Sequence, residues 1–162
     1  MTEATPFDEL VGELDYPMFI CTLRAGEALA GCLVGFATQT SIDPSRFLLC
    51  LSRTNRTTRL AAAAEHLAVH FVPNTAGDLA ELFGGETGDE VDKFARCAWH
   101  RGPRDLPILD ACSNWFVGRI VERLDLGDHV GHVLVPEAVE HGATGPDFTF
   151  HRAQAITPGH PA

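Results

Sequence analysis

The stretches SNWFVGRIVERLDL (113–126) and HVGHVLVPEAVEH (129–141) are separated only by Gly127-Asp128. Each reads as a long strand, and a two-residue Gly-Asp link has the φ preference of a hairpin turn. Upstream, YPMFICTLRA and GEALAGCLVGFA read as two further strands joined by a glycine-containing turn, a second hairpin. RFLLCLSR and LAVHFVP are short apolar strands, the latter ended by Pro73, and DFTFH is a last short one. TQTSIDPS reads as a loop closed by Pro44. Helical spacing marks PFDELVGEL, TNRTTRLAAAAEHL with Asn55 or Thr54 as cap, and AGDLAELFGG with Gly84 and Gly85 as its stop. Between these and the final hairpin, ETGDEVDKFARCAWHRGPRDLP is a polar connector with one helical turn at DEVDKF.

About six mostly antiparallel strands with helices inserted irregularly count against a doubly wound fold, which shows regular β-α-β repetition and a glycine fingerprint. They fit a mainly β architecture with inserted helices, a closed or split β-barrel. At 162 residues the chain is expected to form a single domain over 1–162, its core about 16–140, flanked by the N-terminal helix and a Pro- and Gly-containing tail.

A net charge of −10 speaks against nucleic acid and against an anionic membrane surface. An anionic small molecule is compatible with it where local cations or backbone N–H groups outweigh the overall field. No apolar run approaches the length of a membrane span, and MTEATPFDEL does not resemble a targeting peptide. Five cysteines, odd in number and without a C-x-x-C pair, suit buried reduced thiols and a cytoplasmic location.

Three short stretches carry chemistry, each with a plainer structural alternative. SRTNRTTRL follows a strand and opens a helix, so Asn55, Arg56 and Thr57 can cradle a phosphate; equally, Asn55 caps the helix and the arginines are solvated. Gly35, beside Phe36, marks either a close approach of a planar ligand to the backbone or a β-bulge. In GDHVGH, Asp128 can orient His129 toward a substrate, or the pair is only a turn and the residue that opens a strand. His66/His70 and His129/His132 make no zinc half-site, and the cysteines lack ligand spacing, so no metal is expected. No G-x-S-x-G elbow supports a hydrolase.

In this order, GCLVGFATQTSIDPS, FLLCLSRTNRT, HLAVHFVPNTAGDLAELFGG, DKFA and GDHVGHV resemble the flavin reductase-like, FMN-binding split-barrel family over roughly Tyr16 to Glu140. The chain departs from that pattern at Gly35 and Phe36, where the family often has two serines, at Ser45, where it has a second proline, and at His70, where an asparagine is common. The resemblance implies a split barrel that holds FMN, with FAD as the alternative. Val34, Gly35, Phe36, Ala37 and Thr38 would lie beside the isoalloxazine, and Ser52, Asn55, Arg56 and Thr57 would hold the phosphate. It also implies hydride transfer from NADH or NADPH, in which His129 orients the two rings. The implied partners are a second copy of the chain in a homodimer and a monooxygenase that takes the reduced flavin. Two alternatives stay open: a non-catalytic flavin-binding or storage module, and a split-barrel protein that binds haem or a deazaflavin through His70 or His129.

Overall fold

The computed structural model describes residues 2–160. Seven strands form one antiparallel sheet: β1 (Phe19–Ala25), β2 (Ala28–Val34), β3 (Ala37–Ser41), β4 (Arg46–Ser52), β5 (His66–Phe71), β8 (Asn114–Asp125) and β9 (His129–His141). A small second pair, β6 (Trp99–Arg101) and β7 (Pro107–Leu109), lies in the connector. The helices are α1 (Pro6–Gly12), α2 (Arg56–Ala61), α3 (Gly77–Gly85) and the short α4 (Phe150–Ala153).

Strand order across the large sheet is β2-β1-β5-β8-β9-β4-β3. Its two edge strands, β2 and β3, are neighbours in the chain, with only Gly35 and Phe36 between them. The sheet therefore curls until its edges face each other, yet no ladder joins them: β2 pairs with β1 and β3 pairs with β4. This seam is the split of the barrel. One backbone bond, from Cys50 N–H to the Phe36 carbonyl at 2.9 Å, ties the crossing to β4.

Alternation along β1 explains why FICTL is buried throughout and apolar but for Thr22, whose hydroxyl donates to the Pro107 carbonyl. Successive side chains of a strand point to opposite faces. Phe19, Cys21 and Leu23 enter the barrel interior with Leu49, Leu67, Val69 and Leu134. Ile20 faces outward, into a second core under α3 that includes Ala80, Phe83 and Leu109. With both faces covered, no polar alternation is required. His70 braces these layers: its Nδ1 donates to the Ile20 carbonyl at 2.9 Å, and its Nε2 accepts from Leu109 N–H at 3.0 Å. Burial pushes its pKa down to about 4, which suits the neutral ring this bonding requires. Both ring nitrogens are thus spent on backbone groups, and no ligand can be held through them.

The final hairpin forms as its sequence predicts, with Gly127 at φ +88°. Other elements differ from expectation. Residues 37–41 form an edge strand instead of a loop; four of its five side chains are polar and the fifth is alanine, and three are exposed, so it carries no apolar alternation. α2 stops at Ala61, because the chain enters β5 at His66. DFTFH makes two isolated bridges, Pro73 with Asp147 and Pro17 with Thr149, and then turns into α4. Strands β6 and β7 are three residues each, too short to show a period.

Candidate functional site

A cavity of about 460 Å³ opens at the seam, within the ~300–1,000 Å³ common for ligand pockets. One wall is the end of β2 with Gly35 and Phe36; the opposite wall is the end of β4 with Ser52 and Asn55. Tyr16, Met18 and Phe83 supply an apolar end, where Tyr16 stacks on Phe150 at 4.7 Å between centroids. Hydroxyl and amide groups form the other end. Ser52 Oγ lies 3.1 Å from Thr54 Oγ1, which lies 3.1 Å from His160 Nδ1. Asn55, 8% exposed, caps α2 by accepting from Thr57 N–H at 3.0 Å.

At the mouth, His129 and Phe36 meet with ring centroids 5.0 Å apart. Phe36 is 56% exposed, an unusual state for a large aromatic. His129 Nδ1 is 2.6 Å from Asp128 Oδ1, and this bond holds the Asp128 carboxyl below the usual carboxylate range. With Nδ1 as the donor, the neutral ring keeps Nε2 as an acceptor. The turn is latched to the β4 end. Arg53 Nε donates to the Gly127 carbonyl at 2.6 Å, Arg53 N–H to the Asp128 carbonyl at 2.9 Å, and the guanidinium pairs with Asp125 at 2.5 Å.

Gly35 lines the cavity, and a Cβ there would lie 3.3 Å from both Met18 Sδ and Tyr16 Cε2. A side chain at this position would press on the residues that shape the apolar end. Together the seam collects Val34, Gly35, Phe36, Ser52, Asn55 and His129 from the residues that sequence reasoning selects. Ala37 and Thr38 lie on β3, paired with Leu49 and Leu48, and do not line the cavity.

Arg56 and Thr57 line a neighbouring cavity of about 530 Å³ instead. There Arg56 Nη1 donates to the Leu29 carbonyl at 2.8 Å. Lys93, buried beside it, donates to the carbonyls of Gly31 and Phe83 at 3.1 and 3.0 Å. Burial pushes the Lys93 pKa down.

Sequence reasoning misses Tyr16, Met18, Phe83 and, from the chain after β9, Phe150, Ile156, Pro158 and His160, all of which line the seam cavity. Tyr16 and Met18 look like ordinary strand residues, and Phe83 like the buried face of a helix. Only the aromatic pair Tyr16 and Phe150 hints at a shared surface, and nothing in the spacing joins residues so far apart. Among the described residues no group of three or more His, Cys, Asp or Glu side chains is placed to hold a metal.

The pattern of the flavin reductase like domain matches residues 11–155. The stachydrine N-demethylase reductase subunit Stc3 of Rhizobium meliloti (strain 1021) is 30% identical over 119 residues, 71% of this chain and 50% of that protein. This chain therefore spans half the length of that relative. FMN reductase (NADH) RutF of Cronobacter sakazakii is 26% identical over 158 residues, 93% of each chain. In fold, the crystal structure of a flavin reductase domain protein from Arthrobacter sp. FB24 superposes with a TM-score of 0.83 at 22% identity, covering 96% of this chain and 95% of that one.

Proposed function

The chain belongs to the flavin reductase-like family, and from that premise we propose that it is an NADH-dependent flavin reductase acting on FMN held in the seam cavity. The observation that carries this reading is the polarity of the cavity. An aromatic and thioether slot at Tyr16, Met18 and Phe83 fits a flat apolar ring system, and Ser52 and Asn55, with Thr54 hydrogen-bonded behind Ser52, fit a hydroxylated chain and its phosphate. The resemblance of the relative named FMN reductase (NADH) supports the choice of both nucleotides.

A bound flavin supplies the hydride-accepting chemistry. The protein supplies position, which accounts for much of the rate when two reactants must be aligned. Phe36 and Gly35 bound the ring-binding end, the Asn55 loop fixes the opposite end, and His129, held by Asp128 and the Arg53 latch, orients the incoming nicotinamide. No proton relay is needed at His129 for this role. In this reading the site belongs to a single flavin reductase-like domain over 1–162, in a homodimer located in the cytoplasm, and the reduced flavin passes to a monooxygenase. The relative named as a reductase subunit of a demethylase supports that last step.

Replacement of the family's two serines by Gly35 and Phe36 favours a second reading, a flavin-binding module without turnover. Anaerobic mixing of the FMN-loaded protein with NADH separates the two. Bleaching of the flavin absorbance is expected; a spectrum that stays oxidised over many minutes would reject reductase activity and leave the storage module.

A further inference from the structure

The chain after α4 does more than fill space beside the cavity. It is pinned at both ends. At the near end, Phe150 N–H donates to the Tyr16 carbonyl at 2.9 Å and His151 N–H to Asp15 Oδ1 at 3.0 Å. At the far end, Gly159 N–H donates to the Gly84 carbonyl at 3.3 Å, and His160 Nδ1 meets Thr54 Oγ1. Between them, Ile156 and Pro158 line the cavity. The far end is seated closely on the end of α3: a Cβ on Gly159 would lie 2.6 Å from the Glu86 carbonyl carbon and 2.8 Å from Thr87 N. Only glycine lets the backbone come so near.

This strap crosses the polar end of the cavity, beside Ser52, Thr54 and Asn55. We propose that Ile156–His160 is a size filter that admits a flavin ending in a single phosphate and rejects the dinucleotide. The proposal rests on the flavin reading of the cavity and on the phosphate lying at its Ser52–Asn55 end. FMN stops at that phosphate. FAD continues through a second phosphate to an adenosine, and with the phosphate at that end these added groups would meet the strap where His160 closes on Thr54. FAD must open the strap to bind, and a ligand that needs a minor conformation loses affinity in proportion to that conformation's population.

The test measures dissociation constants of riboflavin, FMN and FAD by flavin fluorescence, on the parent and on two variants of the full chain. Gly159→Val lifts the strap from α3 without altering a residue that lines the cavity. His160→Ala removes the Thr54 contact together with one side chain of the cavity lining, and stands in should Gly159→Val fail to fold; unchanged riboflavin affinity then shows that the ring-binding part of the lining is intact. The parent is expected to prefer FMN over FAD by about tenfold or more, matching a strap open about one-tenth of the time or less. In either folded variant the preference should shrink to about threefold, chiefly because FAD binds more tightly. Equal binding of FMN and FAD by the parent overturns the filter, as does an undiminished preference in the folded variants. A parent that binds none of the three flavins rejects the flavin reading itself, and the filter with it.

Discussion

Two cavities lie along β2, one lined by residues 29–31 and the other by residues 32–34, and they differ in charge. The seam cavity has aromatic, thioether, hydroxyl and amide groups, and neither arginine nor lysine among the described residues that line it. Its neighbour has Arg56 and Lys93 together with Glu27, Asp89, Glu90 and Asp92. Asn55 and Arg56 are consecutive, yet they serve opposite sides: Asn55 turns toward the seam as the cap of α2, and Arg56 reaches across to Leu29. Charge that directly follows Asn55 in sequence is therefore not charge that faces the seam. In the proposed reading, neutral donors at the seam suit a reduced flavin that leaves, because hydrogen bonds to neutral groups are weaker than charge-assisted ones.

In the proposed reading the charged cavity serves stability and the neutral one ligand binding, and substitutions can break that division. Lys93→Met should have the largest effect on folding. It leaves the buried carbonyls of Gly31 and Phe83 without their donor, at a net cost of about 1–3 kcal/mol; chemical denaturation measures it. A stable Lys93→Met protein that has lost only its flavin would erase the division. Asn55→Ala comes next. Loss of the cap costs about 1 kcal/mol, and loss of an amide at the polar end should weaken FMN by about tenfold. Titration with riboflavin, which has no phosphate, should show a smaller loss, and equal losses would mean that Asn55 acts only through α2.

His129→Ala should slow anaerobic flavin bleaching at saturating NADH by about tenfold, with FMN affinity nearly unchanged. Stopped-flow absorbance reads that step, and an unaltered rate would remove His129 from the site. The smallest effect is expected for Arg56→Ala, whose guanidinium points away from the seam. FMN affinity should stay within about threefold of the parent by fluorescence titration, since a direct charge-assisted bond would be worth about 1.5–3 kcal/mol. A tenfold or greater loss specific to FMN over riboflavin would place Arg56 on the phosphate after all.

Where a segment is buried on one or both faces, its sequence declares its structure. β1, the β1–β2 hairpin and the long β8–β9 hairpin are of this kind, because apolar runs and a Gly-Asp turn are local signals. β3 escapes notice because it is an edge whose polar side chains are solvated and whose only structural bond is to β4. The Pro- and Gly-rich chain after α4 escapes for a similar reason: it is ordered by contacts with Tyr16, Gly84 and Thr54, all distant in sequence. The site divides likewise. Gly35, Ser52, Asn55 and His129 carry recognisable local patterns, whereas Tyr16, Phe83 and Ile156 are lining residues only because the barrel brings them to the seam. The direction of Arg56 depends on where α2 rests against β2, and no spacing rule carries that.

The seam between β2 and β3 has a thermodynamic consequence. Its walls come from residues as far apart as Tyr16, Ser52, His129 and His160, so the cavity exists only when the whole sheet has curled and the segments that carry Tyr16 and His160 have docked. No partly folded segment can hold what it holds. Any molecule that occupies the seam is therefore a ligand of the complete native state alone, and mass action converts its affinity into global stability, about 2.7 kcal/mol at a hundred times its Kd. Occupancy of the seam and survival of the fold are then one equilibrium, and a shift of the melting curve with flavin concentration reports both.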